Sequence, residues 1–316
     1  MSKFTQFLLS AGVLAVLSIW LLTASQQQSD QLKIVFCNVG QGDATLISLA
    51  SIQILVDGGP GKAVLDCLDK YLPLGDKTIE LVIITHPDKD HIGGIIEVLQ
   101  HYRVPQLSTI PIGKDTQVYK KLTESISNLQ QSGQLSISNL YSGDKLRLDL
   151  LQATVLWPDR NWVGSKIPDS ANLANGFKPS QWLDESGGVL GLSTTHSDIN
   201  DFSLVLHIQY GQFDLLINGD AEASVQDDQL QTGLVPSRVE VITQPHHGSR
   251  NGLSDEWLEI VSPQLTVISS GANNRYGHPA PEILSRLQSF GSRILRTDQE
   301  VDIVIQTDGE SWWVAE

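Results

Sequence analysis

The sequence predicts an α/β fold in which two β-sheets pack face to face and helices cover their outer sides. Strand-like runs rich in Ile, Val and Leu come in clusters, and each cluster is followed by amphipathic helical runs. The apolar run at residues 79–84 has the composition of a strand that is buried on both faces. This order of elements indicates layered sheets with helices outside.

The predicted elements follow from apolar periodicity and from the Gly and Ser residues between the runs. Strands are predicted at residues 32–36, 44–49, 52–56, 79–84, 203–209, 213–217, 239–243 and 265–269. Helices are predicted at residues 63–72, 95–99, 221–230, 256–261 and 281–288, and short strands end at residue 314. Periodicity is lost over residues 158–200. Because strand patterns resume directly afterwards, we predict an irregular surface insertion there.

The balance of apolar and charged residues is that of a globular chain. Of the 316 residues, 41% are hydrophobic and 18% are charged, which allows a sizeable core and excludes a largely disordered protein. The formal net charge is −15, from 36 acidic and 21 basic residues. Because such a charge repels polyanions, broad non-specific nucleic-acid binding is disfavoured.

The first 25 residues differ from the rest of the chain. Lys3 precedes an uncharged apolar run over residues 7–24, and small residues that suit a cleavage site follow. The run matches an export signal, and its length also just reaches that of a membrane span. We therefore predict a signal peptide or N-terminal membrane anchor over residues 1–25, with a buried helix as the alternative. The protein is expected to be extracytoplasmic, periplasmic or secreted, and to meet a membrane only through this segment.

Two cysteines are too few for a disulfide framework. Cys37 ends a strand-like run, and Cys67 lies within the predicted helix over residues 63–72. We interpret both as buried thiols, with a single bridge between them as the alternative. Neither belongs to a Cys-x-x-Cys pair, so thiolate metal binding is not indicated.

A group of histidines and aspartates directly follows the predicted buried strand. It consists of His86, Asp88, Asp90 and His91, within six residues. Because alternate residues of an extended chain point the same way, His86 and Asp88 can bind one ion. A strand-to-helix turn can direct Asp90 and His91 toward a second ion, and cations would neutralise the repulsion between the carboxylates. The alternative, a solvated acidic loop, explains neither the imidazoles nor the apolar strand.

Residues 85–91 resemble the His-x-His-x-Asp-His motif of the metallo-β-lactamase superfamily. Segments that extend the resemblance occur in order at residues 38–43, 57–59, 217–220, 246–249 and 276–279. Together they resemble the hydrolase domain of ComEC-type DNA-uptake proteins and of related secreted phosphoesterases. The resemblance implies a four-layer αβ/βα metallo-β-lactamase sandwich over residues 32–316. No run of several membrane helices is predicted, so we expect a stand-alone domain.

The resemblance also implies a set of metal ligands. They are His86 and Asp88 for the first ion, Asp90, His91 and His247 for the second, and Asp220 as a bridge between both. Asp220 suits that role because it follows an apolar run and a tight turn. The cofactors are expected to be two divalent ions, Zn²⁺ or Mn²⁺. Asp88 replaces a histidine of the commoner motif, and this harder ligand makes Mn²⁺ a serious competitor.

The third ligand of the first ion and the choice between two adjacent histidines stay open. His247 is preferred to His246 because it directly precedes the glycine of His-Gly-Ser, and only one of the two is expected to point at the ions. His246 is then expected to contact the substrate or to support a ligand. For the first ion, His196 lies in the irregular insertion, and Asn200 and Ser203 could shape that side of the site instead.

Two further segments are predicted to lie near the metals. Asn274 and His278, on a predicted loop, either bind the substrate or cap the loop. Residues 40–43 are interpreted as a tight turn between two strands, because the Lys and the helix of a nucleotide-binding loop are missing.

Taken together, these features predict that the protein is a metal-dependent hydrolase, and specifically a phosphodiesterase or nuclease. Two ions would lower the pKa of a water molecule that attacks phosphorus, and Asp90 and Asp220 would act catalytically by orienting it. The expected partner is a phosphodiester substrate, with DNA as one candidate, and no protein partner is inferable. The alternatives are an envelope phosphoesterase acting on phosphorylcholine-bearing polymers, an amide or β-lactam hydrolase, and a non-catalytic binding module of the uptake or envelope machinery.

Overall fold

The computed structural model describes residues 31–166 and 198–315. The predicted leader, His196 and most of the predicted insertion lie outside the described residues. Among the described residues, no helix combines the length and the apolar character that crossing a membrane requires.

The strands of the described residues form two mixed sheets. In chain order they are β1 Leu32–Phe36, β2 Thr45–Leu49, β3 Ile52–Val56, β4 Leu81–Ile84, β5 Gln106–Thr109, β6 Ser136–Asn139, β7 Lys145–Leu148, β8 Leu151–Trp157, β9 Val205–Tyr210, β10 Phe213–Ile217, β11 Val241–Thr243, β12 Leu265–Ile268, β13 Arg293–Arg296, β14 Ile303–Thr307 and β15 Trp312–Ala315. The first sheet has the order β15-β14-β1-β2-β3-β4-β5-β6, and the second has the order β13-β12-β11-β10-β9-β8-β7. Strands β3 to β6 are parallel, as are β10 to β13.

The helices lie between the strands and cover the sheets. They are α1 Ala63–Tyr71, α2 Lys89–His101, α3 Gln117–Gln131, α4 Arg160–Lys166, α5 Gln226–Gln231, α6 Asp255–Val261 and α7 Pro281–Ser289. Short 3-10 turns occur at Ile199–Phe202, Ala223–Val225 and Pro245–Gly248. The helix predicted over residues 221–230 is therefore divided into a 3-10 turn and α5. The predicted irregular insertion contains α4.

Three apolar clusters define the layers. Along β1, Ile34 packs between the two sheets, whereas its neighbour Val35 packs beneath α1 and α2, because successive side chains of a strand point to opposite faces. A third cluster, which includes Trp257, lies between the second sheet and helices α6 and α7. The result is helix, sheet, sheet, helix, so the predicted four-layer α/β sandwich is confirmed. Every strand predicted from periodicity is present, with ends shifted by at most two residues.

Cys37 and Cys67 form a disulfide, with a Cα–Cα distance of 5.9 Å. The interpretation as two buried thiols is therefore wrong, and the alternative of a single bridge holds. Both side chains are buried on the outer face of the first sheet, Cys37 at the end of β1 and Cys67 on the inner side of α1. The bridge closes a loop with a sequence separation of 30. A closed loop of that length stabilises the fold by roughly 3–4 kcal/mol in the chain-entropy model.

The packing of α2 brings the histidine–aspartate group against its neighbours. The α2 residue Gly94 lies so close to the segment after β3 that a Cβ there would meet the carbonyl oxygen of Gly58 at 1.9 Å. In the same way, a Cβ at Gly42 would meet the carbonyl oxygen of Asp90 at 2.3 Å. These two glycines therefore allow the loops after β1 and β3 to contact the start of α2 directly.

Candidate metal centre

His86 lies directly beyond β4, and its imidazole is fully buried. Its Nε2 is 3.6 Å from Oδ2 of Asp220, and its Nδ1 is 3.1 Å from Oγ1 of Thr85. The Thr85 hydroxyl donates to Oδ2 of Asp57 at 2.7 Å, so Nδ1 of His86 is the donor to Thr85 and Nε2 keeps a free lone pair. Burial, followed by the charge of His91, lowers the pKa of His86 to about 3. The imidazole is therefore neutral, as a metal ligand must be.

His91 projects from the first turn of α2 toward the same carboxylate. Its Nε2 lies 3.3 Å from Oδ1 of Asp220, and its Nδ1 lies 2.8 Å from Oδ2 of Asp57. Oδ1 of Asp57 accepts the N–H of Thr85 at 2.9 Å, so one buried carboxylate orients both His91 and Thr85. Burial favours a lower pKa for His91, but the charges of Asp220 and Asp57 outweigh it and raise that pKa well above its usual value. A cation would have to displace this proton.

Asp220 follows β10 at a turn that its neighbours hold in place. The Asn218 side chain donates to the Thr243 carbonyl at 2.7 Å, and the N–H of Asp220 donates to Oγ of Ser203 at 3.1 Å. Gly219 has a φ of +50° and lies against Thr85, where a Cβ would be only 3.1 Å from the threonine side chain. Burial favours a higher pKa for Asp220, but the neighbouring imidazoles outweigh it and hold the pKa well below its usual value. Asp220 is thus a buried, ionised carboxylate.

His246 and His247 both face Asp220, although only one of them was expected to point at the ions. The Nε2 atom of His246 lies 3.9 Å from Oδ2 of Asp220, and that of His247 lies 3.9 Å from Oδ1. Adjacent side chains of an extended chain would diverge, but here φ is +50° at His246 and +55° at His247. Such left-handed backbone is uncommon for residues other than glycine and costs of order 1–3 kcal/mol per residue, and strain of this kind occurs often at functional sites.

Each of these histidines is anchored through its other ring nitrogen. Nδ1 of His246 lies 2.9 Å from Oε1 of Glu222, and Nδ1 of His247 lies 3.1 Å from the Ser269 carbonyl. Hydrogen bonding of this kind is typical of metal-binding histidines, because it fixes the tautomer and the orientation of the ring.

The four imidazoles are arranged in pairs about the Asp220 carboxylate. His91 and His247 face Oδ1, and His86 and His246 face Oδ2. Within the described residues, Nε2 of His86, His91 and His247 and Oδ1 of Asp220 are buried without a hydrogen-bond partner. A buried polar atom without a partner costs about 1–3 kcal/mol, so a cluster of them fits a centre that binds cations.

Among the described residues, three groups have ligand atoms that lie within 4.8 Å of one another. They are His86, His91 and Asp220; Asp90, His91 and His247; and Asp43, Asp220 and His247. The donor set of imidazole nitrogens and carboxylate oxygens suits Zn²⁺ and Mn²⁺ alike.

Asp90 and Asp43 complete the side of the centre near His247. Oδ2 of Asp90 lies 3.4 Å from Nε2 of His247, and Oδ1 of Asp43 lies 3.4 Å from Nδ1 of the same ring. Burial favours a higher pKa for Asp90, but the contact with His247 and the charge of His91 outweigh it and lower the pKa to about 2. Asp43 belongs to the turn over residues 40–43, which lies beside the centre as expected.

The carboxylate of Asp88 belongs to none of the three groups of candidate metal ligands. Its carboxylate accepts a charge-assisted hydrogen bond from Nζ of Lys114, which lies in the loop between β5 and α3. Asp88 is the N-cap residue of α2, with an extended backbone. Lys114 contacts only Oδ1 of Asp88, and the predicted role of this residue as a ligand of the first ion stays a prediction.

Asn274 and His278 lie beside the centre in different ways. The Asn274 amide donates to the carbonyls of Gly271 and His278 and accepts from the N–H groups of Tyr276 and His278, so it caps the loop. The His278 ring lies 5.6 Å from the His246 ring, and its Nδ1 is a buried atom without a hydrogen-bond partner among the described residues. Only His278 therefore has a polar atom left for a substrate.

Several residues of the centre were missed as functional candidates. Asp43 and Asp57 lie in segments that carried the resemblance but received no role. Glu222 and Lys114 lie in no motif. The signal for Asp57 was present, since an aspartate followed by two glycines at the end of a strand is typical of a residue presented to a site. No sequence signal distinguishes Glu222 or Lys114 from ordinary surface charges.

Comparisons with known proteins agree with this fold. Residues 37–122 match the family model of the metallo-beta-lactamase superfamily. The chain is 30% identical over 226 residues to ComE operon protein 3 of Bacillus subtilis (strain 168), covering 71% of this chain and 24% of that protein. It is 34% identical over 264 residues to Competence protein ComA of Neisseria gonorrhoeae, covering 83% of this chain and 30% of that protein. The chain thus spans less than a third of the length of either relative.

Among solved structures, the chain is similar to the metallo-beta-lactamase fold protein YhfI from Bacillus subtilis. The TM-score is 0.48 at 11% identity, covering 90% of this chain and 100% of that chain. The matched residues hold β4, the start of α2 and the histidine–aspartate group, and the two sequence relatives are ComEC-type competence proteins. The chain therefore carries a metallo-β-lactamase domain match over residues 37–122 and is similar to ComEC-type competence proteins.

Proposed function

We propose that the chain is a metal-dependent phosphodiesterase whose centre binds two divalent ions, one on each side of Asp220. The observation that carries this proposal is the pairing of four anchored imidazoles about the two oxygens of one buried carboxylate. A carboxylate in that position can bridge two cations, which would also give the buried atoms without hydrogen-bond partners a partner.

The ligands divide between the two sides of the bridge. The first ion would be held by His86, His246 and Oδ2 of Asp220, and the second by Asp90, His91, His247 and Oδ1 of Asp220. His246 would be the third ligand of the first ion. Glu222 contacts Nδ1 of His246 and orients its ring, just as Asp57 orients the ring of His91. His246 lies farther out than the other three rings, with a side chain that is 33% exposed, so the first ion is expected to bind more weakly.

Divalent ions bound by these residues would supply Lewis acidity, lower the pKa of a bound water and stabilise negative charge on phosphoryl oxygens. The side chains of the protein would orient the attacking water and the substrate. Asp90 and Asp220 are ionised carboxylates at the centre, and Asp90 can orient an attacking water by accepting a hydrogen bond from it. His278, whose buried Nδ1 lacks a partner, is placed to contact the substrate on the His246 side.

The choice of phosphodiesters, with DNA as the leading candidate, has indirect support. The two sequence relatives are ComEC-type competence proteins, and the resemblance to ComEC-type DNA-uptake proteins favours DNA among the phosphodiesters. The Cys37–Cys67 bridge supports an extracytoplasmic location, because disulfides persist in oxidising compartments. The rival functions are an envelope phosphoesterase and a non-catalytic binding module, and neither is favoured by a feature of the centre.

Metal analysis combined with a substrate panel tests this proposal. The purified chain, loaded with Mn²⁺ or Zn²⁺, is assayed on a small phosphodiester, single-stranded DNA, a phosphorylcholine ester and nitrocefin. We expect two ions per chain and hydrolysis of the phosphodiesters, which His91→Ala abolishes. His101→Ala is the matched control, since His101 is an exposed histidine of the same helix. A chain without bound metal, or a fully active His91→Ala variant, would refute the proposal.

A further inference from the structure

The loop after β12 carries an aromatic and cationic surface beside the metal centre. Tyr276 is 56% exposed, and the exposed Arg275 guanidinium lies 5.1 Å from the centroid of its ring and donates to its hydroxyl oxygen at 3.0 Å. Although the guanidinium contacts the ring, more than half of the Tyr276 surface is left to solvent. Within the described residues, no carboxylate lies within ion-pair distance of Arg275, so its guanidinium can bind an anionic group from solvent.

A row of rings connects this surface to the metal centre. The Tyr276 ring lies 5.9 Å from that of His278, which lies 5.6 Å from that of His246. His246 in turn faces Asp220 at 3.9 Å. A chain-like substrate with its scissile group at Asp220 would therefore pass over His278 and reach Tyr276 with its next unit.

The loop is held rigid, so the surface exists before any substrate binds. Asn274 makes four hydrogen bonds within the loop through its side-chain amide, and the N–H of Gly271 donates to Oε1 of Gln41 at 3.1 Å. This contact ties the loop to the turn over residues 40–43, beside Asp43. A preorganised contact surface loses little conformational entropy on binding.

We propose that Arg275 and Tyr276 form a binding platform for single-stranded nucleic acid, with a base stacked on Tyr276 and a phosphate on Arg275. Both residues lie outside the proposed set of catalytic residues. This proposal rests on the phosphodiesterase function proposed above and specifies its substrate as single-stranded nucleic acid. Exposed aromatic rings beside a cation are the usual means of binding unpaired bases, whose faces are inaccessible in a duplex. A choline group is disfavoured, because the adjacent guanidinium repels a second cation.

Equilibrium binding tests the platform independently of hydrolysis. The binding of fluorescein-labelled oligo(dT) to the full chain is measured by anisotropy, with the metal-loaded protein and again with EDTA. Stacking of one base is worth 1–3 kcal/mol, so Tyr276→Ala is expected to weaken binding by about 5- to 150-fold. Tyr276→Phe should retain most of the affinity, and Arg275→Ala should weaken binding and reduce its dependence on salt.

Two controls separate this platform from the metal centre. Trp313→Ala removes an exposed aromatic side chain on β15, at the far edge of the first sheet, and should leave oligonucleotide binding unchanged. Metal content should be unaltered in Tyr276→Ala, which shows that the metal centre itself is intact. If the parent chain does not bind oligo(dT), or if Tyr276→Ala binds it within twofold of the parent, the platform is refuted. If binding depends on Tyr276 but no hydrolysis occurs, the platform stands and the proposed catalytic function fails.

Discussion

Replacing Asp57 by Asn should weaken the metal centre without touching a metal ligand. Asp57 is almost fully buried, and its Oδ2 accepts from both Thr85 Oγ1 and His91 Nδ1, at 2.7 and 2.8 Å. An amide can keep the contact of Oδ1 with the Thr85 N–H, but its NH₂ group would then face two donors. Two hydrogen bonds to a charged acceptor are lost, each worth about 1.5–3 kcal/mol.

The expected result is a drop in affinity for the second ion of about 10- to 100-fold, the usual effect of losing a partner that orients a metal-binding histidine. The free energy of unfolding should fall by about 3–6 kcal/mol, as follows from the two bonds. Metal affinity is measured by competition with a chromophoric chelator, and stability by urea unfolding. Binding constants within twofold of the parent would show that Asp57 does not orient His91.

A matched control is available in the second sheet. Asp214 pairs with Nε2 of His207 at 2.7 Å, which is also an aspartate–histidine contact, but it belongs to β10 and β9 away from the centre. Asp214→Asn should change stability only, with metal affinity unaltered. A loss of metal affinity in this variant would mean that the effect of Asp57→Asn is not specific.

Three further predictions concern the bridging carboxylate of Asp220, the pH dependence of metal binding and the Cys37–Cys67 disulfide. Asp220→Asn should abolish binding of both ions, seen by elemental analysis as less than one ion per chain, whereas retention of two ions would exclude a bridging role. The carboxylates of Asp220, Asp43 and Asp90 outweigh burial and raise the pKa of His247 to about 10 in the metal-free protein, so a cation must displace its proton at neutral pH. Metal affinity should therefore rise by up to about tenfold per pH unit between pH 6 and 8 for each proton released, and titrations at three pH values that give equal affinities would contradict this. Changing Cys37 and Cys67 together to Ser should lower the free energy of unfolding by roughly 3–4 kcal/mol, measured by chemical denaturation with the parent as reference.

The layered fold and much of the centre could be predicted because their signals are local. Apolar alternation identified the strands, and the group from His86 to His91 occupies one short stretch at the end of β4. Asp220 was found because an apolar run followed by a tight turn indicates a side chain presented at the end of a strand.

The rest depends on contacts that local patterns do not encode. His246 and His247 point to the same carboxylate only because both have a positive φ, whereas periodicity places neighbouring residues on opposite sides. The Cys37–Cys67 bridge depends on which face of α1 packs on the sheet, since two isolated cysteines are compatible with either redox state. The ion pair between Asp88 and Lys114 likewise joins two residues that are distant in the sequence.

The most direct test of the two-ion centre is anomalous diffraction from crystals of the chain grown with Mn²⁺ or Zn²⁺, recorded on both sides of the metal absorption edge. The proposal predicts two anomalous peaks, one contacting Oδ1 of Asp220 with His91 and His247 and one contacting Oδ2 with His86 and His246. A single peak, or two peaks that do not share Asp220, would contradict it.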